Sequence, residues 1–163
     1  MVGTSGAPSS MIWRPGAFSC VSALLATRIT GFFERRKTLA KSLSKHYRTG
    51  VLSRGYGRLT KGYDVTNYDS NYKTVGDEAM QLFERFKNRF VIAVSEDRVP
   101  GAKKVIDDMD LDVLILDDAM QHRAIKPGFT IMMTDFNDPY FKDHMLPAGD
   151  LRESRSGSKR ADI

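Results

Sequence analysis

Three runs of uninterrupted apolar or nearly apolar residues, Phe90-Val91-Ile92-Ala93-Val94, Val113-Leu114-Ile115-Leu116 and 129–134, constrain this 163-residue chain more than any other feature. A strand with one face in water alternates apolar and polar side chains. A run without polar interruption needs cover on both faces, which is the situation of a parallel strand between helices. The intervening stretches have the period of such helices. From Asp77 onward, Ala79, Leu82, Phe83 and Phe86 form an apolar stripe, and a second helix is expected from near Pro100, a residue tolerated in a first turn, to about Met109. Upstream, Leu39, Leu43 and Tyr47 recur every four residues and predict a helix reaching Tyr47, with a short strand at 50–53. Strand and helix thus alternate without internal repeat, which predicts an α/β fold with a doubly wound, mainly parallel sheet.

In such a sheet ligands bind beyond the carboxyl ends of the strands. Polar residues follow the apolar runs at Ser53-Arg54, Ser95 with Arg98, Asp117-Asp118, and Asp135 with Asn137, so they are expected to converge on one crevice. The run ending in Asp117-Asp118 has the form by which nucleotide-hydrolysing α/β proteins set a carboxylate near phosphate-bound magnesium. Acids also cap turns after parallel strands, and on their own these two fit that role equally well. The continuation Ala119-Met120-Gln121-His122 adds an amide and an imidazole that can share the crevice.

Three further segments have both a plain and a chemical explanation. Val75-Gly76-Asp77-Glu78 delivers two carboxylates at a helix start, where Asp77 as cap and Glu78 as a dipole-favoured acid suffice, although hard cations want the same oxygens. Leu52-Ser53-Arg54-Gly55-Tyr56-Gly57-Arg58 opens a long loop over 54–74. Its glycines permit close backbone approach to a ligand and its arginines suit phosphate; a solvated basic loop is the alternative. Leu146-Pro147-Ala148-Gly149-Asp150-Leu151-Arg152-Glu153 reads as a turn followed by a helix start with a local ion pair.

Charge is unevenly distributed. Residues 1–62 carry eleven Lys or Arg against Glu34 alone, a balance of +10, whereas residues 63–163 carry fourteen against nineteen acids, a balance of −5. The basic half suggests an anionic partner, either nucleotide phosphate or anionic lipid. Nucleic acid is not expected, because no helix-turn-helix, zinc-finger or base-stacking motif accompanies the charge. The single Cys20 excludes an intramolecular disulfide and a cysteine-based zinc site. The longest apolar stretch, 18–26, is broken by Ser19 and Ser22 and falls short of the roughly 18–20 residues that span a bilayer.

Taken together and in order, the series LSRGYGR, VGDE, DD-x-x-QH and LPAG-x-LRE resembles the tetraacyldisaccharide 4'-kinase (lipid A 4'-kinase) family over about residues 39 to 163. The resemblance implies an incomplete sheet of the P-loop NTPase type. It also implies transfer of the γ-phosphate of ATP to the 4'-hydroxyl of tetraacyldisaccharide 1-phosphate, with Mg2+, at the cytoplasmic face of the bacterial inner membrane, and peripheral attachment to that anionic membrane through basic, partly apolar residues 11–48. On the same resemblance Asp118 is the catalytic aspartate that activates the sugar hydroxyl, with Asp77 as a second catalytic acid. Asp117 matches the acid that ends the Walker B strand and, with Glu78, serves the metal. Tyr56, Arg98, Gln121, His122, Arg152 and Glu153 line the cleft.

One element of the family pattern is missing. A phosphate cradle needs Gly-x-x-x-x-Gly-Lys-Ser/Thr, because glycine-loop amides surround the phosphates and the lysine neutralises them. The nearest approach is Gly31-Phe32-Phe33-Glu34-Arg35-Arg36-Lys37-Thr38, which makes Lys37 and Thr38 the candidate cofactor-binding residues but puts Arg36 where the second glycine belongs. Residues 1–36 are therefore expected to be an atypical, poorly ordered segment joined to a partial kinase core at 37–163. The chain alone is expected to have little kinase activity, the alternative being a non-catalytic phosphate-binding or interaction module.

Overall fold

The computed structural model describes residues 19–25, 32–117, 119–120 and 122–163, with side chains from Lys37 onward except that of Asp117. Its strands are β1 Ser19–Leu25, β2 Thr49–Ser53, β3 Asp64–Val65, β4 Val91–Val94, β5 Val113–Asp117 and β6 Phe129–Met133. Its helices are α1 Phe32–Leu43, α2 Tyr72–Val75, α3 Asp77–Phe86 and α4 Arg98–Met109. The strands form one sheet in the order β3-β4-β2-β5-β1-β6, parallel throughout except that β3 runs antiparallel to β4.

The uninterrupted apolar runs are explained by the two cores they feed. Val113 and Ile115 pack with Val51, Ile92 and Val94 beneath Ala40 of α1 and Ala79, Leu82 and Phe83 of α3. Their neighbours Leu114 and Leu116 face the other way, with Leu52 and Ala93, beneath Ala102, Val105 and Ile106 of α4. Successive side chains of a strand point to opposite faces, so a strand between two helical layers has no position left for a polar residue. Fully burying each such Leu, Ile or Val stabilises the fold by about 1.5–3 kcal/mol relative to exposure.

Two expectations need correction. The helix expected to reach Tyr47 ends at Leu43, and Tyr47 is 52% exposed. The chain has to turn there because the carbonyl of Arg48 already accepts from the amides of Asp112 and Val113 at 2.8 and 3.1 Å, which commits it to the sheet. The helix start expected at 150–153 is instead a pinned loop. Leu146 donates to the carbonyl of Leu151 and Leu151 to that of His144, both at 3.0 Å, and only a short 3-10 turn, Arg155–Arg160, follows. The position 36/37 lies within the span of α1, and β1, upstream of it, pairs with both β5 and β6 inside the sheet. The expectation of poor order for 1–18 and 26–31 lies outside the described residues.

Candidate active site

Parallel strands bring their carboxyl ends to one edge of the sheet. Residues after β1 return through α1 on the face of Ala40, whereas those after β5 cross on the opposite face, where Ala119 and Ile125 pack with the α4 layer. Adjacent strands whose connections diverge in this way leave a crevice at their carboxyl ends. Asp117 ends β5 there, its Cα level with that of Ala23 in β1. Asp118 and Gln121 lie outside the described residues. His122 is half-buried in the connection, its amide donating to the carbonyl of Ala119 at 3.0 Å.

The 54–62 loop leaves the end of β2 at the same edge and meets the start of α3. Gly76 has φ +88, and a Cβ added to it would fall 2.8 Å from the carbonyl oxygen of Tyr56 and 3.2 Å from the carbonyl carbon of Gly55. The amide of Leu59 also donates to the carbonyl of Lys73 at 2.7 Å. Two of the sequence motifs are thereby brought into backbone contact. Gly76 rather than Asp77 occupies the cap position, so Asp77 and Glu78 are the first helical residues, both exposed in the turn whose dipole favours anions. The Tyr56 side chain is 95% exposed on the same loop.

Glu96 and Arg58 fasten this loop to the end of β4, and of the two Glu96 was not singled out from the sequence. Arg58 Nη2 donates to Glu96 Oε1 at 2.7 Å and to the carbonyl of Gly62, and the amide of Gly62 donates to Glu96 Oε2 at 2.8 Å. Burial pushes the Glu96 carboxyl up, but its own amide, the Arg58 guanidinium and the Gly62 amide outweigh burial and hold it below the usual carboxylate range. Arg58 does stand in a motif singled out for phosphate recognition; no local signal could pair it with a glutamate 38 residues away. Next to the loop, burial first and Asp108 second push the Tyr63 phenol up to about 12.

The remaining candidates are more dispersed. Arg98, the first residue of α4, is buried and donates to the carbonyl of Leu52 at 3.3 Å, so it braces the end of β2. Glu153 is half-buried and pairs with Arg160 at 2.6 Å; Arg152 is exposed. Lys37 is buried and Thr38 exposed, both in the second turn of α1. The stretch 32–38 is thus helix, not the loop that a phosphate cradle requires, and the connection joining β1 to α1 is 26–31, with the single glycine Gly31. A cavity of 540 Å³ opens beside the 119–128 connection, with Arg123, Lys126, Arg160 and Asp162 among the residues that line it. Among the described residues no three His, Cys, Asp or Glu converge.

Comparison with known proteins bears on the family and the fold. A family model described as tetraacyldisaccharide-1-P 4'-kinase matches residues 36–163. The tetraacyldisaccharide 4'-kinase of Cytophaga hutchinsonii is 41% identical over 149 residues, 91% of this chain and 42% of that protein. Its counterpart in Flavobacterium psychrophilum is 41% identical over 135 residues, 82% of this chain and 39% of that one. The crystal structure of LpxK from Aquifex aeolicus, in complex with ATP, superposes with a TM-score of 0.77 at 30% identity, covering 93% of this chain and 48% of that one. The Cytophaga match is longer than the stretch 36–163, so the likeness extends upstream of it. The chain spans less than half the length of each of these proteins, yet over that span its sequence is similar to all three and its fold to that of the Aquifex protein: it belongs to the tetraacyldisaccharide-1-P 4'-kinase family.

Proposed function

We propose that the carboxyl edge of this sheet is the metal-side and hydroxyl-activating half of a kinase site, with ATP as donor and the 4'-hydroxyl of tetraacyldisaccharide 1-phosphate as acceptor. The observation that carries the reading is the meeting, at one edge, of the 54–58 loop with the turn before Asp77 and Glu78, alongside a β5 that ends in Asp117 next to β1. Phosphoryl transfer asks a protein chiefly for positioning and charge stabilisation, and carboxylates on rigid element ends supply the first. In this reading Asp118 takes the proton of the 4'-hydroxyl as its oxygen bonds to the γ-phosphorus and the bond to the ADP oxygen breaks. Asp77 supports that step, and Tyr56, Arg98, Gln121, His122, Arg152 and Glu153 orient donor and acceptor.

Magnesium fits the donor chemistry. An ion shared with substrate phosphates needs only one or two protein carboxylates, and Glu78 and Asp117 would provide them. When bound, the ion neutralises charge on the β- and γ-phosphates. Lys37 and Thr38, helical and one turn past the start of α1, are poor substitutes for a glycine cradle, so transfer by this chain alone is expected to be slow. The +10 balance of residues 1–62 supports peripheral attachment to an anionic membrane such as the cytoplasmic face of the inner membrane. Among the described residues no helix is long and apolar enough to cross one.

A transfer assay with ATP, magnesium and the lipid disaccharide tests the reading. Slow phosphorylation at the 4' position, abolished by Asp118→Asn and by Asp77→Asn, is expected. Binding of phosphate compounds without any transfer, unchanged in both variants, would favour a non-catalytic module instead.

A further inference from the structure

We propose that Arg58 is a positioning residue for the Asp77 and Glu78 carboxylates, acting through a lock in which Glu96 holds the 54–62 loop against the backbone of Gly76. Only the use made of the two carboxylates rests on the kinase reading. The lock itself is a matter of geometry.

The Arg58 side chain is 2% exposed, and its Nε and Nη1 are buried without a hydrogen-bond partner. A buried cation with two unsatisfied nitrogens is a net cost to stability, and an apolar side chain of similar length would be easier to bury. What this cation holds is the course of the chain. Its Cδ and Nε lie 2.7 and 2.8 Å from where a Cβ on Gly55 would stand, so the side chain is laid on the Gly55 backbone. Glu96 fixes it there, spending one carboxylate oxygen on Arg58 and the other on the amide of Gly62. The backbone of Gly55 and Tyr56 in turn meets Gly76, whose carbonyl accepts the amide of Met80 at 3.1 Å and so opens the hydrogen bonding of α3. Asp77 and Glu78 are the next two residues. Their carboxylates sit in the first turn of a helix whose entry is set by this contact, because Gly76 itself offers no side-chain cap.

Hydrogen exchange on the whole chain, comparing Arg58→Met, Arg58→Lys and Glu96→Gln with the parent, reads the lock directly. Arg58→Met is expected to speed exchange of the amides at 76–80 about tenfold while leaving the denaturation midpoint in place, since local opening is separable from global unfolding. Arg58→Lys keeps a charge opposite Glu96 and restores most of the protection. Glu96→Gln changes a side chain that is 46% exposed, so it leaves the core intact and should loosen the same amides. Unchanged exchange at 76–80 in both Arg58→Met and Glu96→Gln overturns the proposal. So does acceleration spread evenly over β4 and β5 with a lowered midpoint, which marks general destabilisation. Calorimetry of ATP with magnesium on the same proteins separates the two claims: Arg58→Met weakens parent-level binding about tenfold if the carboxylates serve the metal. A parent that binds no magnesium-nucleotide counts against the kinase reading and leaves the exchange result standing.

Discussion

The two edges of the sheet are each tied by an arginine, and the two arginines are tied in opposite ways. Where β2 and β5 begin, Arg48 is 57% exposed and well partnered. Its amide and guanidinium donate to both oxygens of Asp112, and its Nη1 pairs with Asp110. These bonds, Asp112 first, raise the Arg48 value, and the same contact depresses that of Asp112. Where the strands end, Arg58 is almost wholly buried and satisfied at one nitrogen only. An exposed, fully bonded pair fastens the chain at little gain, because water and salt compete for it. A dry, half-satisfied one makes sense where position matters more than stability, which is the edge that carries the candidate site.

The comparison can be broken most forcefully at Gly76. Its φ of +88 and ψ of 159 lie in a region open essentially to glycine alone, so Gly76→Ala is expected to cost about 1–3 kcal/mol from backbone strain, before the collision with the Tyr56 carbonyl is counted. Gly57→Ala has a similar φ of +78 but nothing within 4 Å of the added methyl, and should cost no more than about 1–2 kcal/mol. Urea denaturation of the two variants measures the gap, and equal losses would mean that the loop contact at Gly76 contributes nothing.

Acid sharpens the contrast at intermediate effect. Glu96 and Asp112 both have folded-state values below their ordinary ones, so the stability they contribute is complete above the ordinary carboxyl range and is lost as pH falls through the depressed values. Arg48→Ala should flatten the acid limb of a midpoint-against-pH curve measured between about pH 2 and 6, and molar salt should do the same in the parent. The share due to Glu96 should survive salt better, since its partner is buried. The smallest effect is that of Arg48→Ala on thermal stability at neutral pH, a slight lowering of Tm that disappears in salt of about 1 M. A large, salt-independent loss would show that the exposed clip is no mere fastening.

Much of this was legible beforehand because period is a local property. The runs at 90–94 and 113–116 and the stripe from Ala79 to Phe86 fixed strand and helix, and two-sided burial fixed the parallel sheet. Where nonlocal contacts decide, the reading failed. Leu39, Leu43 and Tyr47 had helical spacing, but the Arg48 carbonyl was already bound to 112–113, and the turn before it overrode the period. The basic, glycine-marked segment 19–36 offered no uninterrupted signal, yet β1 finds its place between β5 and β6, where parallel neighbours supply the pairing. At the site, Gly76-Asp77-Glu78 was visible as a motif while its seat on Tyr56 was not, and Glu96 was invisible because its partners stand 34 and 38 residues earlier.

Titration calorimetry of the chain with ATP, in the presence and absence of magnesium and repeated with Asp117→Ala, tests most directly whether the carboxyl edge is the working one. The account predicts binding that requires magnesium and is weakened about tenfold or more in Asp117→Ala. Binding that is the same with and without magnesium, and the same in Asp117→Ala, would contradict it.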